Sequence, residues 1–239
     1  MENTIFIALS RQTGLEQKMN VVANNIANVN TPGYRAQNMV FNEYLVKSDE
    51  KNKDIKQVLD YGSYMNTSQG SVSQTGNPLD AAIEGDAYFV VQTEQGPAYT
   101  RDGRFTLNIN NELVNSAGFP VTGGGGPIAI PQNAREIRID ESGVVSTEQG
   151  TVGQLDLVTF ANQQELEALG NNVYTTGAAA TPATDSRVIQ GAYEKSNVQG
   201  VLEMTRMIET SRTYTSIARV LQNDHERQRS MIQKLSGSN

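Results

Sequence analysis

Residues 3–29 carry apolar side chains at alternating spacings of three and four. Positions 5, 8, 12, 15, 19, 22, 26 and 29 are Ile5, Ala8, Gln12, Leu15, Met19, Val22, Ile26 and Val29, seven of the eight apolar. That 3.5-residue period predicts a helix about 40 Å long with a seam suited to packing on another helix. Polar residues such as Arg11, Glu16, Lys18, Asn20, Asn24 and Asn28 take the other faces. The stop is explicit: Pro32 turns Thr31 away from helical angles and Gly33 allows a sharp bend. The far end mirrors the start. Residues 197–235 hold no Gly or Pro after Gly200, and a stripe of Met204, Met207, Ser211, Tyr214, Ala218, Leu221, His225, Gln228, Ile232 and Leu235 predicts a second, longer helix. Further apolar positions (Ile7 and Leu9; Val201, Ile208, Ile217 and Val220) imply contacts on more than one side. Two such helices paired only with each other would leave most of their surface in water, so helices from other subunits are expected to cover it.

Between the helices the period changes. Residues 35–80 are polar and poorly periodic, with a charge run at Lys47-Ser48-Asp49-Glu50-Lys51-Asn52-Lys53-Asp54, and read as an extended connector with few contacts of its own. Residues 81–178 hold short runs of β-formers: Tyr88-Phe89-Val90-Val91, Ala98-Tyr99-Thr100, Arg104-Phe105-Thr106-Leu107, Ile128-Ala129-Ile130, Ile137-Arg138-Ile139, Val144-Val145 and 155–160. Turn signals separate them at Asp102-Gly103, Asn110-Asn111, Ala117-Gly118 and Ser142-Gly143, and Asp102-Gly103 reads as a two-residue hairpin turn. A helical turn is expected within 163–169. The fold class is therefore α+β: residues 1–34 and 197–239 form helices that pair as a coiled-coil-like domain, 81–178 form a mainly antiparallel β domain, and 179–196 return the chain to the last helix.

Composition narrows the function. The 239 residues are 37% hydrophobic and contain no Trp, which predicts a lean core. The net charge of −7 argues against nucleic-acid binding, which needs clustered Lys and Arg. Cysteine is absent, so neither disulfides nor thiolate metal sites are available. No apolar run approaches the ~20 residues of a membrane span. The start, Met1-Glu2-Asn3-Thr4, lacks the features of a cleaved signal, so the protein is expected to stay inside or to leave by another route.

Candidate catalytic chemistry is thin. His225 is the only histidine, and Asp224 beside it faces another side of the helix. Gly123-Gly124-Gly125-Gly126 precedes a strand-like segment and has no lysine near it, which favours a turn over a phosphate loop. Asp80, Glu84 and Asp86 read as a solvated approach to a strand rather than as paired catalytic acids. Asn66-Thr67-Ser68 matches a glycosylation sequon of a kind that chance produces often. No metal or cofactor is expected.

The segment Asn24-Asn25-Ile26-Ala27-Asn28-Val29-Asn30-Thr31-Pro32-Gly33-Tyr34 stands apart. Asn is a mediocre helix former, so amides at this density need partners, and neighbouring chains are expected to supply them. At this run the chain resembles the bacterial flagellar rod and hook family, whose N-terminal signature is Asn-Asn-hydrophobic-Ala-Asn followed by Thr-Pro-Gly and an aromatic. Four further motifs carry the resemblance along the chain: 79–89 with Tyr99-Thr100-Arg101-Asp102-Gly103-Arg104-Phe105, Gly118-Phe119-Pro120-Val121, Ala168-Leu169-Gly170-Asn171-Asn172, and 190–198 leading to Met204, Met207, Ile208, Arg212 and Tyr214. Ala87 stands where the family commonly has glycine.

The resemblance implies a structural subunit of the axial rod, most similar in length and connector to the proximal rod members, with the distal members as close rivals. It implies export unfolded through the flagellar type III apparatus without signal cleavage. Implied partners are other rod subunits and copies of the same chain. The expected assembly residues are Ile5, Leu15, Met19, Val22, Asn24, Asn25, Ile26, Asn28, Val29, Thr31, Pro32, Gly33, Tyr34, Met204, Met207, Ile208, Tyr214 and Leu221. Two other classes would look different. An enzyme acting on periplasmic polysaccharide needs convergent carboxylates in a cleft within 81–178, and a soluble coiled-coil adaptor would form closed oligomers of fixed size.

Overall fold

A computed structural model describes residues 2–47 and 54–236. Helix α1 spans Glu2–Ala27 and helix α2 spans Gly200–Ser236, each within three residues of the periodic segment that predicts it. α1 ends where the Asn–Thr–Pro–Gly run begins. The Thr31 amide donates to the Asn28 carbonyl at 3.1 Å and its hydroxyl to Asn28 Oδ1 at 3.0 Å, while Gly33 takes φ +67°. α2 is rich in Ser and Thr, which compete with helix hydrogen bonding, yet Thr205, Thr210, Thr213, Thr215 and Ser216 each return the hydroxyl to the carbonyl four residues earlier. Glu203 in its first turn and Lys234 in its last both suit the helix dipole.

The chain divides into two compact units. The helical unit draws its described residues from Met1–Ala27, Gln37–Tyr64 and Gln199–Asn239, and the β body from Asn28–Ala36 and Met65–Val198. In the helical unit α1 packs against α2, and strands β1 (Gln37–Lys47) and β2 (Asp54–Met65) pair as a two-stranded ribbon. The segment expected to be an extended connector with few contacts of its own thus holds a two-stranded ribbon, and β3 (Val72–Gln74) pairs as well. Polar sequence without a clear period hid these strands because a two-stranded ribbon need not bury a continuous apolar face. Most of the charge run at 47–54 lies outside the described residues.

The β body starts with β3, then β4 (Ala81–Glu84), β5 (Tyr88–Thr93) and β6 (Gly96–Thr100). Short pairs follow: β7 (Thr106–Leu107) with β8 (Leu113–Val114), and β9 (Thr122–Gly123) with β10 (Gly126–Pro127). β11 (Ile137–Ile139), β12 (Val144–Thr147) and β13 (Gly150–Gln154) form a three-stranded meander. β14 (Leu157–Thr159), β15 (Glu167–Gly170), β16 (Val173–Thr175) and β17 (Thr181–Pro182) join β5 and β6 in a six-stranded sheet of order β15-β16-β6-β5-β14-β17. β18 (Arg187–Gln190) pairs β4, and β19 (Ala192–Glu194) pairs β3. The pairings among β3 to β19 are all antiparallel, as the strand and turn punctuation predicts. The runs at 104–107 and 155–160 shorten to β7 and β14, Ala129 makes only an isolated bridge to Glu112, and the helical turn at 163–169 is a 3-10 turn, Gln163–Glu165, followed by β15.

One core joins β4, β5, β8, β12 and β18 around Ile83, Phe89, Val91, Phe105, Leu113, Val121, Ile128 and Val145, with the Phe89 and Phe105 rings edge-on at 5.0 Å. A smaller aromatic cluster gathers Tyr88, Tyr99, Phe160 and Tyr174 with Met65 and Leu166. The glycine run forms the β9–β10 turn, with Gly124 and Gly125 at φ +64° and +95°, both in the region such a turn requires. Asp102-Gly103 is not a hairpin. Gly103 has no positive φ; its lack of a side chain lets the backbone of Ala81 come close, and a Cβ there would sit 1.6 Å from the Ala81 carbonyl oxygen. Asp102 instead accepts the Arg104 amide at 3.0 Å, and β5 and β6 are joined at Thr93–Gly96. Ala87, buried, needs no glycine because its φ is ordinary.

Gly103→Ala is expected to destabilise the full-length chain by about 3 kcal/mol or more, because backbone has to move. Gly177→Ala, with open space around it, is expected to stay within about 0.5 kcal/mol. Urea midpoints of the two variants check this.

Candidate assembly site

The signature segment Asn28–Ala36 belongs to the β body and is held there by directed polar contacts. The Gly33 amide donates to the Glu194 carbonyl at 2.8 Å, and a Cβ on Gly33 would fall 2.5 Å from the Arg101 carbonyl carbon. Pro32 is buried, and its carbonyl accepts from Asn172 Nδ2 at 2.6 Å. That amide is aimed by a left-handed turn, Gly170, Asn171 and Asn172 at φ +103°, +50° and +56°, a conformation that Gly and Asn tolerate best. Asn197 uses its backbone and amide together. Its Oδ1 accepts the Ala36 amide at 2.7 Å, its Nδ2 donates to the carbonyls of Asn66 and Ser68 at 2.9 and 2.8 Å, and its own N–H reaches the Tyr34 carbonyl at 3.2 Å.

Beside these bonds lies a buried charge cluster. Arg35, Arg101 and Glu194 are 2%, 1% and 1% exposed. One oxygen of Glu194 takes Arg35 Nη2 at 3.2 Å and the Gly70 amide at 2.8 Å; the other takes Arg101 Nε at 2.9 Å and Nη2 at 2.6 Å. Arg101 spends its remaining donors on the carbonyls of Gly85 and Ala87, reaches toward that of Ile83 at 3.4 Å, and lies over the Tyr88 ring with 5.7 Å to the centroid. Arg35 is less well served: it donates to the Ser68 carbonyl, but its Nε finds no acceptor among the described residues. Burial pushes the Arg35 pKa down, Glu194 opposes that, and the neighbouring Arg101 adds to it. Burial likewise pushes the Tyr174 and Tyr88 hydroxyls up. Two guanidiniums on one carboxylate leave a net positive charge, so the anion is what keeps both cations buried.

The helical unit has a polar clamp of its own. Asn25, 1% exposed, donates to the Gln37 carbonyl at 2.8 Å and accepts the Gln37 amide at 2.9 Å, while its Nδ2 also meets Glu203 Oε2 at 3.3 Å. Glu203 is 4% exposed and pairs with Arg206 at 2.5 Å on the next turn of α2. The expectation that neighbouring chains supply partners for the amides of the Asn-rich run is corrected for Asn25, since its amide is used inside this chain, while Asn28 Oδ1 accepts the Thr31 hydroxyl. A buried amide with backbone partners in reach satisfies itself locally.

The expected assembly residues separate by exposure. Val22, Asn25, Pro32 and Gly33 are buried; Leu15, Met19, Ile26, Asn28, Val29, Thr31, Tyr34, Met207, Tyr214 and Leu221 are half-buried; Asn24, Met204 and Ile208 are exposed. The side chain of Ile5 lies outside the described residues. On α2, Val201, Met204 and Ile208 are 83%, 55% and 53% exposed at helical spacing, and Val220, Met231 and Ile232 extend the apolar surface. On α1, Ile7 and Leu9 are exposed. Arg35, Arg101, Glu194, Asn197 and Glu203 were not singled out by periodicity. Their one sequence signal is that each is a polar residue within or beside a quoted motif.

The residues weighed for catalysis have other work. His225 is exposed, and Asp224 pairs with Arg227 on its own helix. Asp80 accepts from Thr75 Oγ1 at 2.6 Å and Asn77 Nδ2 at 2.9 Å, with Glu84 and Asp86 exposed. Among the described residues no group of three or more His, Cys, Asp or Glu is placed to hold a metal ion.

Three family descriptions match the chain in order. "Flagella basal body rod protein" matches residues 5–35, "Flagellar hook protein FlgE/F/G D1 domain" residues 82–147, and "Flagellar basal body rod FlgEFG protein C-terminal" residues 189–234. The chain is 39% identical over 245 residues to the flagellar basal-body rod protein FlgF of Caulobacter vibrioides, covering 100% of both chains. It is 34% identical over 242 residues to FlgF of Rhizobium meliloti, again covering 100% of both. To the rod protein FlgG of Caulobacter vibrioides it is 33% identical over 244 residues, covering 90% of this chain and 92% of the other.

Glu194→Gln is expected to destabilise the full-length chain by about 3–5 kcal/mol, because it strands two buried guanidiniums without an anion. Glu141→Gln removes one partner of an exposed pair, Glu141 with Arg187 at 3.8 Å, and is expected to change stability by about 0.5 kcal/mol or less. Chemical denaturation of both variants measures the contrast.

Proposed function

The chain belongs to the flagellar basal-body rod family and is a structural subunit of that rod, and we propose that it polymerises through its two terminal helices into the axial shaft carrying torque to the hook. The observation that carries the proposal is the contrast between the two units. In the β body the outer strands of the six-stranded sheet resist addition: β17 places Pro182 at one edge, and β15 at the other is interrupted by a register shift between Ala168 and Gly170. In the helical unit, apolar residues at 201, 204 and 208 stand in water. Growth by helix packing fits that division.

In this reading α1 and α2 pair as a coiled-coil-like element, and the remaining apolar faces dock on copies of the chain and on other rod subunits. Head-to-tail contacts that do not close on themselves generate a helical assembly. The β body stiffens the helical wall, and the free helices order fully on incorporation. Full-length coverage of the FlgF relatives supports a proximal position; similarity to FlgG over 90% of this chain makes a distal position the second reading. Export proceeds unfolded through the type III apparatus, for which a chain without cysteine is suited.

A groove of about 450 Å³ on the β body has Asp156 as its one lining acid, and that carboxylate accepts the Gly124 amide at 3.0 Å. Paired carboxylates are what glycoside hydrolysis requires. Among the described residues no helix is long and apolar enough to cross a membrane.

Met204→Lys combined with Ile208→Lys is expected to leave the folded chain's helix content and melting temperature unchanged while abolishing incorporation into rods. Complementation of a strain lacking the protein, read by motility and by imaging isolated basal bodies, tests it. Normal incorporation of the double variant defeats the proposal. A truncation test has to stop at residue 27, because residues 28–34 are part of the β body.

A further inference from the structure

We propose that Asn28–Ala36 is a strap that closes onto the β body as a separable last step, latched by Arg35, and that it closes only after the C-terminal return segment is in place. The proposal concerns the chain by itself and stands whether or not its helices polymerise.

The two arginines on Glu194 are unequal. Arg101 is tied to Glu194 through Nε and Nη2 and to the carbonyls of Gly85 and Ala87, so it is part of the wall between β4 and β6. Arg35 reaches the same carboxylate with one nitrogen at 3.2 Å, adds the Ser68 carbonyl, and leaves Nε without a partner. If the strap lifts away, Glu194 keeps Arg101 and the Gly70 amide, a balanced pair. The open body then holds no stranded charge, which makes opening inexpensive. If Arg101 were lost instead, the carbonyls of Gly85 and Ala87 would lose their donor in the interior.

The order of closure follows from who holds the strap. Most of its contacts run to Asn172, Glu194 and Asn197, all distant in sequence: Asn172 to the Pro32 carbonyl, Glu194 to the Gly33 amide and Arg35, Asn197 to Tyr34 and Ala36. Only its last two residues also meet an earlier segment, Arg35 donating to the Ser68 carbonyl and the Ala36 carbonyl accepting the Asn66 amide at 2.8 Å, and Asn197 in turn holds the carbonyls of Asn66 and Ser68. Within the strap, Thr31 bonds to Asn28 and the Tyr34 amide donates to the Thr31 carbonyl at 3.2 Å, which shapes a turn. A chain that is delivered N-terminus first therefore leaves Pro32, Gly33 and the Ala36 amide without their partners until residues 172–197 arrive. Arg35 is a positioning residue in this scheme.

Residue-resolved amide hydrogen exchange on the full-length chain tests the latch. In Arg35→Ala the amides of Gly33 and Ala36 are expected to exchange about tenfold faster or more, while those of Ala81 and Val121, bonded to the Gly103 and Leu113 carbonyls, keep wild-type rates. Arg101→Ala is expected to accelerate both sets together. Should Arg101→Ala fail to fold, the comparison of Arg35→Ala with wild type decides alone. Equal acceleration of both sets in Arg35→Ala, or no change at Gly33 and Ala36, overturns the latch. Pulse labelling during refolding of the wild-type chain tests the order: protection at Gly33 and Ala36 is expected after protection at Ala81 and Val121, and simultaneous or earlier protection overturns it.

Discussion

A carboxylate removed from water has to be balanced, and in this protein Glu194 is balanced by two guanidiniums from distant parts of the chain. Arg101 ends the β6 region, Arg35 follows the Pro–Gly turn after α1, and Glu194 sits in β19 just before α2. Three stretches that carry family motifs therefore meet at one side chain. Because the cluster is buried, losing Glu194 strands both cations, whereas losing Arg35 leaves Glu194 and Arg101 as a balanced pair. Hydrophobic packing holds the rest of the body, but it does not specify which early segment meets which late one. The ion cluster and Asn197 do that through directed bonds.

The same polar economy explains how the subunit keeps its two units distinct in character. In the β body, the buried carboxylate of Glu194 is matched by two guanidiniums and both edges of the six-stranded sheet are interrupted, so that sheet offers little for another strand to pair with. In the helical unit the matched polar groups, Asn25 with Gln37 and Glu203, concentrate near the C-terminal end of α1 and the N-terminal end of α2. Further along, both helices carry exposed apolar residues, Leu9 on α1 and Val220 and Ile232 on α2. A helix can hold its own backbone bonds while its side chains wait for partners, and a sheet edge cannot. That difference makes helices the suitable elements for a surface that must persist in a free subunit and be covered in an assembly.

Periodicity determined both helices, and turn chemistry with β-former runs determined the antiparallel body, because each signal is local: 3.5- and 2-residue spacing and the positive φ of particular glycines and asparagines. The turns at Gly33 and Gly118 were legible for the same reason, the motifs around Gly170–Asn172 and Gly191 only through the family resemblance, and the structure supplies their causes in φ and close approach. Family membership was legible as well, since the ordered motifs span the chain. What the sequence alone did not decide was which residues close the site. Asp102-Gly103 looks like a hairpin turn to any local rule, and only the approach of Ala81 reveals another need for glycine. Asn25 and Asn28 look like amides in search of a neighbouring chain until Gln37 and Thr31 are seen to meet them. Arg35, Arg101 and Glu194 look like three surface charges, because burial of an ion depends on partners brought together from afar and leaves no period in the sequence. Local spacing therefore determined the elements, and tertiary structure alone decided the pairing of charges and amides, since that pairing is fixed by long-range proximity and desolvation.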